Sequence, residues 1–445
     1  MSPLVTPQTI ADAGVVGAGG AGFPTHVKLS AKVDSVILNA AECEPLLHKD
    51  KEILRYYPDE VLEGLGLARQ LVGAQKSFIG IKGKYEEVIE LLAPKVDSAT
   101  ELCPLTDSYP AGDELILVFD VLHRVVPPGG IPLAVGVVVI NVETALNIAK
   151  AVTEPVVEKF LTIAGAVRRP VTLRVPIGIR LEECLQAAGG VTGADPHFFI
   201  GGVMMGRVTT DTNFLIDKTV AGVVVLPGDH PLVERATRNW KQQVRIGRSA
   251  CDQCSYCTEL CPRWLLGHPI EPHRAMRSLG FNRVGQANVI GTAFCCECNL
   301  CSLYSCPEDL DPKDVCAENK RRLAADKIRW QDPPFDPRRP VLHLNNRRAP
   351  MARLITKLGL QKFENVGPLN EDLLQTNKVG IKLKQHTGQP CLPVVQEGDT
   401  VRRGQIVGQL PRDGDKPALG AIVHASIDGK VTQISDGVIW IENPY

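Results

Sequence analysis

Residues 251–262 read CDQCSYCTELCP and residues 295–307 read CCECNLCSLYSCP. The first stretch is Cys251-x-x-Cys254-x-x-Cys257-x-x-x-Cys261-Pro262. The second spaces Cys295, Cys298 and Cys301 in the same way and reaches Cys306-Pro307 one residue later. Three thiolates two residues apart can wrap one face of an iron–sulfur cubane. The fourth cysteine, just before a proline, is carried off to ligate the other cluster. The spacing therefore predicts two 4Fe–4S clusters, one on Cys251, Cys254, Cys257 and Cys306, the other on Cys295, Cys298, Cys301 and Cys261. Thiolate sets also suit zinc, but zinc knuckles pair two cysteines with two ligands a dozen or more residues on. A three-plus-one run, twice over, favours iron and sulfur. Cys296 would leave a single residue before Cys298 and is read as a non-ligand.

The rest of the chain fits that reading. Of 14 cysteines among 445 residues, nine lie between Cys251 and Cys306, and Cys43, Cys103, Cys184, Cys316 and Cys391 are scattered singly. Clustering in a long chain with its own cores points to metal rather than to a disulfide framework. Lys and Arg number 49 against 50 Asp and Glu, which leaves no global basic charge for nucleic acid. The longest apolar run, Ile131–Val142, is broken by Pro132 and Gly136 and falls short of a membrane span. The N-terminus, Met1 to Val5, lacks the basic and apolar regions of a secretion signal. A soluble, cytoplasmic protein with no transmembrane segment and no nucleic-acid partner is expected.

Upstream, residues 1–155 alternate strands with helices: Val33–Ala40, Lys76–Ile81 and Val137–Ile140 as strands, Pro58–Val72, Tyr85–Leu92 and Asp113–His123 as helices. Alternation of this kind implies a mostly parallel sheet covered by helices. Residues 156–232 change to short strands punctuated by Gly and Pro, with one helix at Leu181–Ala188. Residues 233–325 hold the cysteine motifs on largely helical chain. Residues 326–376 read as a basic, Pro-rich linker. Residues 377–445 return to short strands with Gly-Asp and Asp-Gly turns, an all-β signature.

The segment Gly17-Ala18-Gly19-Gly20-Ala21-Gly22-Phe23-Pro24 precedes Lys28. Four glycines in six residues let the backbone approach a phosphate or a flat ring, to which Lys28 adds charge. By itself the loop reads equally well as a flexible turn, and it matches neither the Rossmann fingerprint nor the P-loop.

Four stretches downstream resolve the ambiguity. Asn39-Ala40-Ala41-Glu42-Cys43-Glu44-Pro45, Lys49-Asp50, Tyr109-Pro110-Ala111-Gly112-Asp113-Glu114 and Asn141-Val142-Glu143-Thr144 occur in order. Together with the glycine loop they resemble the NADH- and FMN-binding subunit of respiratory complex I and its relatives, including the C subunit of the Rnf complex. The resemblance implies an α/β FMN-binding domain (1–155), a β-grasp module of the SLBB type (156–232) and a helical two-cluster ferredoxin-like segment (233–325). It further implies that Gly17, Gly19, Gly20, Gly22, Lys28, Asn39, Glu42, Tyr109, Gly112 and Asn141 surround FMN, and that Phe23, Glu44 and Glu114 face NADH. The family's acid in this stretch is here Ala41.

Val394–Val401 with Gly404-Gln405, then Ala425–Val431, resemble a barrel-sandwich domain of the biotinyl/lipoyl type. Lys416 lacks the flanking residues of a modified carrier lysine, so a docking or structural role is expected. The module lies after the clusters, an order similar to that of the cobalamin reductases of propanediol-utilisation microcompartments. That likeness implies an oxidoreductase passing electrons from NADH through FMN and two 4Fe–4S clusters to a corrinoid. It implies a place inside a bacterial microcompartment, with an adenosyltransferase or a shell protein as partner. An Rnf-type NADH:ferredoxin subunit and a non-catalytic electron shuttle or scaffold are the alternatives. No residue is assigned a catalytic role beyond the cofactors: a flavin exchanges electrons in pairs or singly, and a cluster singly.

Overall fold

The computed structural model describes residues 5–280, 286–331, 333, 335–336, 344–414 and 416–443. The segment Met1–Leu4, the linker positions Asp332, Pro334, Pro337 and Pro340, and the side chain of Lys416 lie outside the described residues.

Near-continuous buried runs make three of the four strands of the first sheet, as expected of strands covered on both faces, and the fourth is a part-exposed edge strand. Strands β1 (Ser35–Ala40), β2 (Lys76–Lys82), β3 (Thr100–Leu105) and β4 (Val137–Asn141) run parallel in the order β3-β2-β1-β4. Successive residues face opposite layers. Val36, Leu38, Val138 and Ile140 pack with Val61, Leu65 and Leu146 of α2 (Pro58–Val72) and α5 (Val142–Lys150), which flank α3 (Glu86–Leu92) and α4 (Glu114–Leu122) in sequence and follow α1 (Lys49–Tyr56). Ile37, Val137 and Val139 pack instead with Leu117 and Val118 of α4. The two helices on the first face lie so close that a Cβ on Gly64 would sit 1.8 Å from the Ala145 carbonyl oxygen; no other residue fits there.

From β1 the chain travels to β2 and β3 and then returns to β4 on the opposite side of β1. Strand order thus reverses between β1 and β4, and ligands of open α/β sheets sit in the crevice at the carboxyl ends of such a pair. Asn39 and Asn141 occupy those ends in register with each other.

The second domain is a mixed sheet of β5 (Glu158–Gly165), β6 (Val171–Pro176), β7 (His197–Ile200), β8 (Arg207–Thr209) and β9 (Gly222–Leu226), with α6 (Leu181–Ala187) against it. Its edge is closed by β10 (Leu369–Leu373), parallel to β6. This corrects the linker expectation for its second half. Ala349–Pro350 pairs with Ser108–Tyr109, Met351–Lys357 is a helix packed on the second domain's core, and β10 completes its sheet. A linker composition concealed a segment that ties two domains together. The cysteine segment lies between α7 (Trp240–Ala250), whose N-terminus carries a reciprocal Asn239/Gln242 cap, and α8 (Pro312–Ala325). The C-terminal module pairs a four-stranded with a three-stranded sheet around Val379, Ile381, Val407, Val423, Ile439 and Ile441. No helix among the described residues is long and apolar enough to cross a membrane.

Candidate functional site

The glycine loop closes on itself: the Gly17 amide donates to the Phe23 carbonyl (2.9 Å) and the Gly22 amide to the Gly17 carbonyl (3.1 Å). It lies at the strand-order reversal, with Gly19 against the Asn141 side chain and the Ala18 amide donating to Thr144 Oγ1 (3.0 Å). Gly20 has φ +111°, and a side chain there would project into open space. That is the cradle a phosphate or flat ring requires, with backbone exposed and room above it. Around it, Asn39 Nδ2 donates to the Gly112 carbonyl (2.8 Å), and half-buried Lys28 Nζ reaches the Val139 carbonyl (2.9 Å) and Glu114 (3.2 Å). Glycine loop, Lys28, Asn39, Gly112, Glu114 and Asn141 thus converge from five separate stretches, and their donor set fits FMN.

A buried charge network lies behind the cradle. Lys49 pairs with Asp50 (2.9 Å) and Glu143 (2.8 Å), Lys159 also reaches Glu143, and Asn141 Nδ2 donates to Asp50 (2.7 Å). Burial opposes ionisation of Glu143, yet Lys159 and Lys49 hold it below the usual carboxylate range. Burial lowers Lys159 to about 8. Glu42 accepts from the Asp50 and Lys51 amides at the start of α1, and burial with Asp50 nearby pushes it up to about 7. Two opposing charge pairs satisfy one another here, which is what keeps them tolerable in the interior.

Three predicted residues also bridge domains. Glu44 accepts from the amides of Met204 (3.1 Å) and Met205 (2.9 Å) in the second domain, and burial pushes it up to about 7. Its carboxylate is thereby engaged with protein. Tyr109 is fully buried, and its hydroxyl donates to the Cys298 carbonyl at 2.7 Å. The glycine loop itself is clamped by the C-terminal module: Thr387 donates its amide to the Gly22 carbonyl (2.9 Å) and its hydroxyl to the Ala21 carbonyl (2.8 Å). Lys218, buried, donates to the carbonyls of Gly14 (2.7 Å) and Ile422 (3.2 Å). Arg263, two residues beyond Cys261, forms a two-bond pair with Asp113, the N-cap of α4. None of these contacts leaves a local sequence signal.

The cysteine motifs are structural repeats. Gln253 and Ser255, two and four residues after Cys251, have left-handed backbone (φ +62° and +68°). Glu297 and Asn299, two and four residues after Cys295, repeat it (φ +58° and +63°). Left-handed non-glycine residues are uncommon and strained, so their recurrence aligns Cys295, not Cys296, with Cys251. The extra residue of the second motif is taken up in a wide π-helical turn over Cys301–Ser305.

The thiols gather as two sets. Burial first, and then the closeness of Cys306, Cys251 and Cys254, push Cys257 up to about 12. Cys301 is raised by burial, by Cys295 and Cys261 and, across the two sets, by Cys257, while Cys261 is raised by burial and by Cys296 and Cys295. Cys298 is raised first by a hydrogen bond with Cys296. Crowded, buried thiols that resist ionisation are the donor set that a cationic cluster would convert to thiolates. Donors already point at sulfur: Gln253 Nε2 at Cys251 (3.2 Å), the Glu297 amide at Cys295 and the Leu310 amide at Cys306 (both 3.4 Å). Among the described residues no three of these groups close on one point as ligands of a single ion do; in a 4Fe–4S site each thiolate ligates its own iron. By spacing Cys296 is a non-ligand, and Cys316 stands singly in the sequence. The structure packs Cys296 against Cys298, and buries Cys316 against Cys295 in a hydrogen bond that helps lower Cys295 to about 7.

Four family models match the chain: the Nuo51 FMN-binding domain over residues 10–150, the SLBB domain over 160–208, a 4Fe-4S dicluster domain over 250–311, and the RnfC barrel sandwich hybrid domain over 367–442. The chain is 41% identical to cobalamin reductase PduS of Citrobacter freundii over 99% of its own length and 98% of the relative's. It is likewise 41% identical to that of Salmonella typhimurium, over 98% and 95%. The C subunit of a Na(+)-translocating ferredoxin:NAD(+) oxidoreductase complex from Acetobacterium woodii is 35% identical over 57% of each chain.

Proposed function

The chain belongs to the family of the PduS cobalamin reductases, and from that premise we propose that it is an NADH-dependent flavo-iron–sulfur reductase of corrinoids. In balanced form, NADH and two Co(III) corrinoids give NAD⁺, a proton and two Co(II) corrinoids. FMN and the clusters, when bound, would supply the conversion of an electron pair into single electrons.

The residues divide that work. Gly17, Gly19, Gly20 and Gly22 would hold the flavin phosphate and ring by backbone, while Lys28 and Asn141 would add polar contacts. Glu114 and Phe23 border the side from which the nicotinamide arrives. Cys251, Cys254, Cys257 and Cys306 would hold one cluster, and Cys295, Cys298, Cys301 and Cys261 the other. The observation carrying the reading is the hydrogen bond from Tyr109 to the Cys298 carbonyl: it fastens the flavin domain to a cluster loop through a fully buried contact. Orphaning that carbonyl would cost about 1–3 kcal/mol. Module order supports residence in a microcompartment, where an adenosyltransferase or a shell protein would be the neighbour.

The test is anaerobic. Reconstituted protein should consume one NADH per two hydroxocobalamin reduced, followed by the cobalt spectra. Reduction of ferredoxin with membrane partners, and never of cobalamin, would move the chain to the Rnf-type activity.

A further inference from the structure

A corrinoid is a bulky acceptor, and the flavin cradle and cluster loops do not by themselves say where it binds. A cavity of about 900 Å³ opens between the second domain's β7–β8 edge, α7, α8 and the second cysteine loop. That volume lies near the top of the roughly 300–1,000 Å³ range of small-molecule sites. None of the flavin-cradle residues (glycine loop, Lys28, Asn39, Glu114, Asn141) lines it, so it is a second site. We propose that this cavity is the corrinoid-docking site. The inference rests on the reductase reading and adds the place of the acceptor.

Two features carry it. The first is access to the wire. Glu297 and Asn299, which flank Cys298, form part of the wall, and so does Leu303 between Cys301 and Cys306. An acceptor there touches the residues bonded to the cluster cysteines, and the same Cys298 carries the Tyr109 contact to the flavin domain. The second is chemistry. Part-exposed Trp240 offers an apolar face to a corrin ring over the buried Phe199 and Leu232, and the lining carries six Lys and Arg and four Asp and Glu, with Asp309 and Glu234 pairing Arg235 and Arg238 from outside it. A corrinoid presents a ring fringed with carboxamides and a nucleotide loop bearing one phosphodiester, so it needs this mixture of flat apolar contact and hydrogen-bonding ions.

The experiment uses reconstituted holoprotein under anaerobic conditions, with hydroxocobalamin and NADH as separate probes. Binding is read by equilibrium dialysis and by quenching of Trp240 emission, with Trp240→Phe as the control that removes that signal. Ala317→Phe, in the half-buried wall, narrows the cavity without removing a hydrogen-bonding side chain; Ala324→Phe does so at the exposed rim. Both should keep iron content and NADH-to-dye activity. Ala317→Phe should weaken hydroxocobalamin binding about tenfold or more, the factor carried by each 1.4 kcal/mol, and raise its KM correspondingly. Should Ala317→Phe lose iron, Ala324→Phe decides. Unchanged cobalamin binding in an iron-replete variant overturns the docking site while leaving the reductase reading intact. Quenching of Trp240 by NADH, lost in Ala317→Phe, would assign the cavity to the nucleotide and overturn the proposal. Wild-type protein that neither binds nor reduces cobalamin would overturn both readings.

Discussion

Arg263 and Asp113 hold the cluster segment to the flavin domain, and removing that pair separates docking from cofactor binding. Both side chains are about nine-tenths buried, 10% and 12% exposed, and the guanidinium meets both carboxylate oxygens, one bond measuring 2.8 Å. Breaking a buried pair by removing one partner costs about 3–5 kcal/mol. In Arg263→Met the orphaned carboxylate keeps two amide donors, Leu115 at 3.1 Å and Ile116 at 3.2 Å, which places the loss at the low end, about 3 kcal/mol. In Asp113→Asn the arginine is left buried and cannot shed its charge, so that loss should be the larger, about 4–5 kcal/mol. The double variant should recover part of the sum, with a coupling of about 2 kcal/mol or more. A loss of about 3 kcal/mol weakens docking by roughly 150-fold. Hydrogen exchange should rise across residues 256–268 and 110–118, and cobalamin reduction should fall while flavin and dye activity persist. Additive effects below about 0.5 kcal/mol, or equal loss of both activities, would refute the docking role.

Cys306→Ser should damage the cluster on Cys251, Cys254 and Cys257, seen as about half the iron with the second cluster's signal intact. Cys296→Ser should keep all the iron, because the repeated left-handed residues align Cys295 with Cys251, while shifting the reduction potential of the neighbouring cluster through its contact with Cys298. Glu44 titrates near 7 when folded against an ordinary 4.5. The folded state therefore holds the extra proton between those pH values, and its stability falls as pH rises from 4.5 to 7. Relative to Glu44→Gln, urea unfolding of the wild type should lose at most about 3 kcal/mol across that window.

How much of this was legible depended on whether the signal was local. The parallel sheet showed in the runs of β1, β2 and β4, and the cysteine motifs in their spacing. Strand β3 did not, because Glu101 and Pro104 interrupt its pattern; it is an edge strand, where proline is tolerated. Helix α1 was hidden because Lys49, Asp50 and Glu52 read as surface yet are buried among partners that are remote in sequence, such as Glu143. The contacts assembling the site span the chain, as in Glu44 with Met204, Tyr109 with Cys298, and Thr387 with Ala21. A hydrogen bond between residues hundreds of positions apart imposes no periodicity on either. Cys316 looked isolated for the same reason, and lies against Cys295.

On the proposed wiring, electrons enter at the glycine loop and leave only after crossing the cysteine segment. The decisive assay follows two acceptors in parallel, anaerobically, with NADH as donor: a small dye able to collect electrons at the flavin, and hydroxocobalamin. Cys254→Ser and Cys298→Ser should lose cobalamin reduction while retaining dye reduction, and Lys28→Ala should lose both. Cluster variants that reduce cobalamin at the wild-type rate would show that electrons leave from the flavin, and would contradict the account.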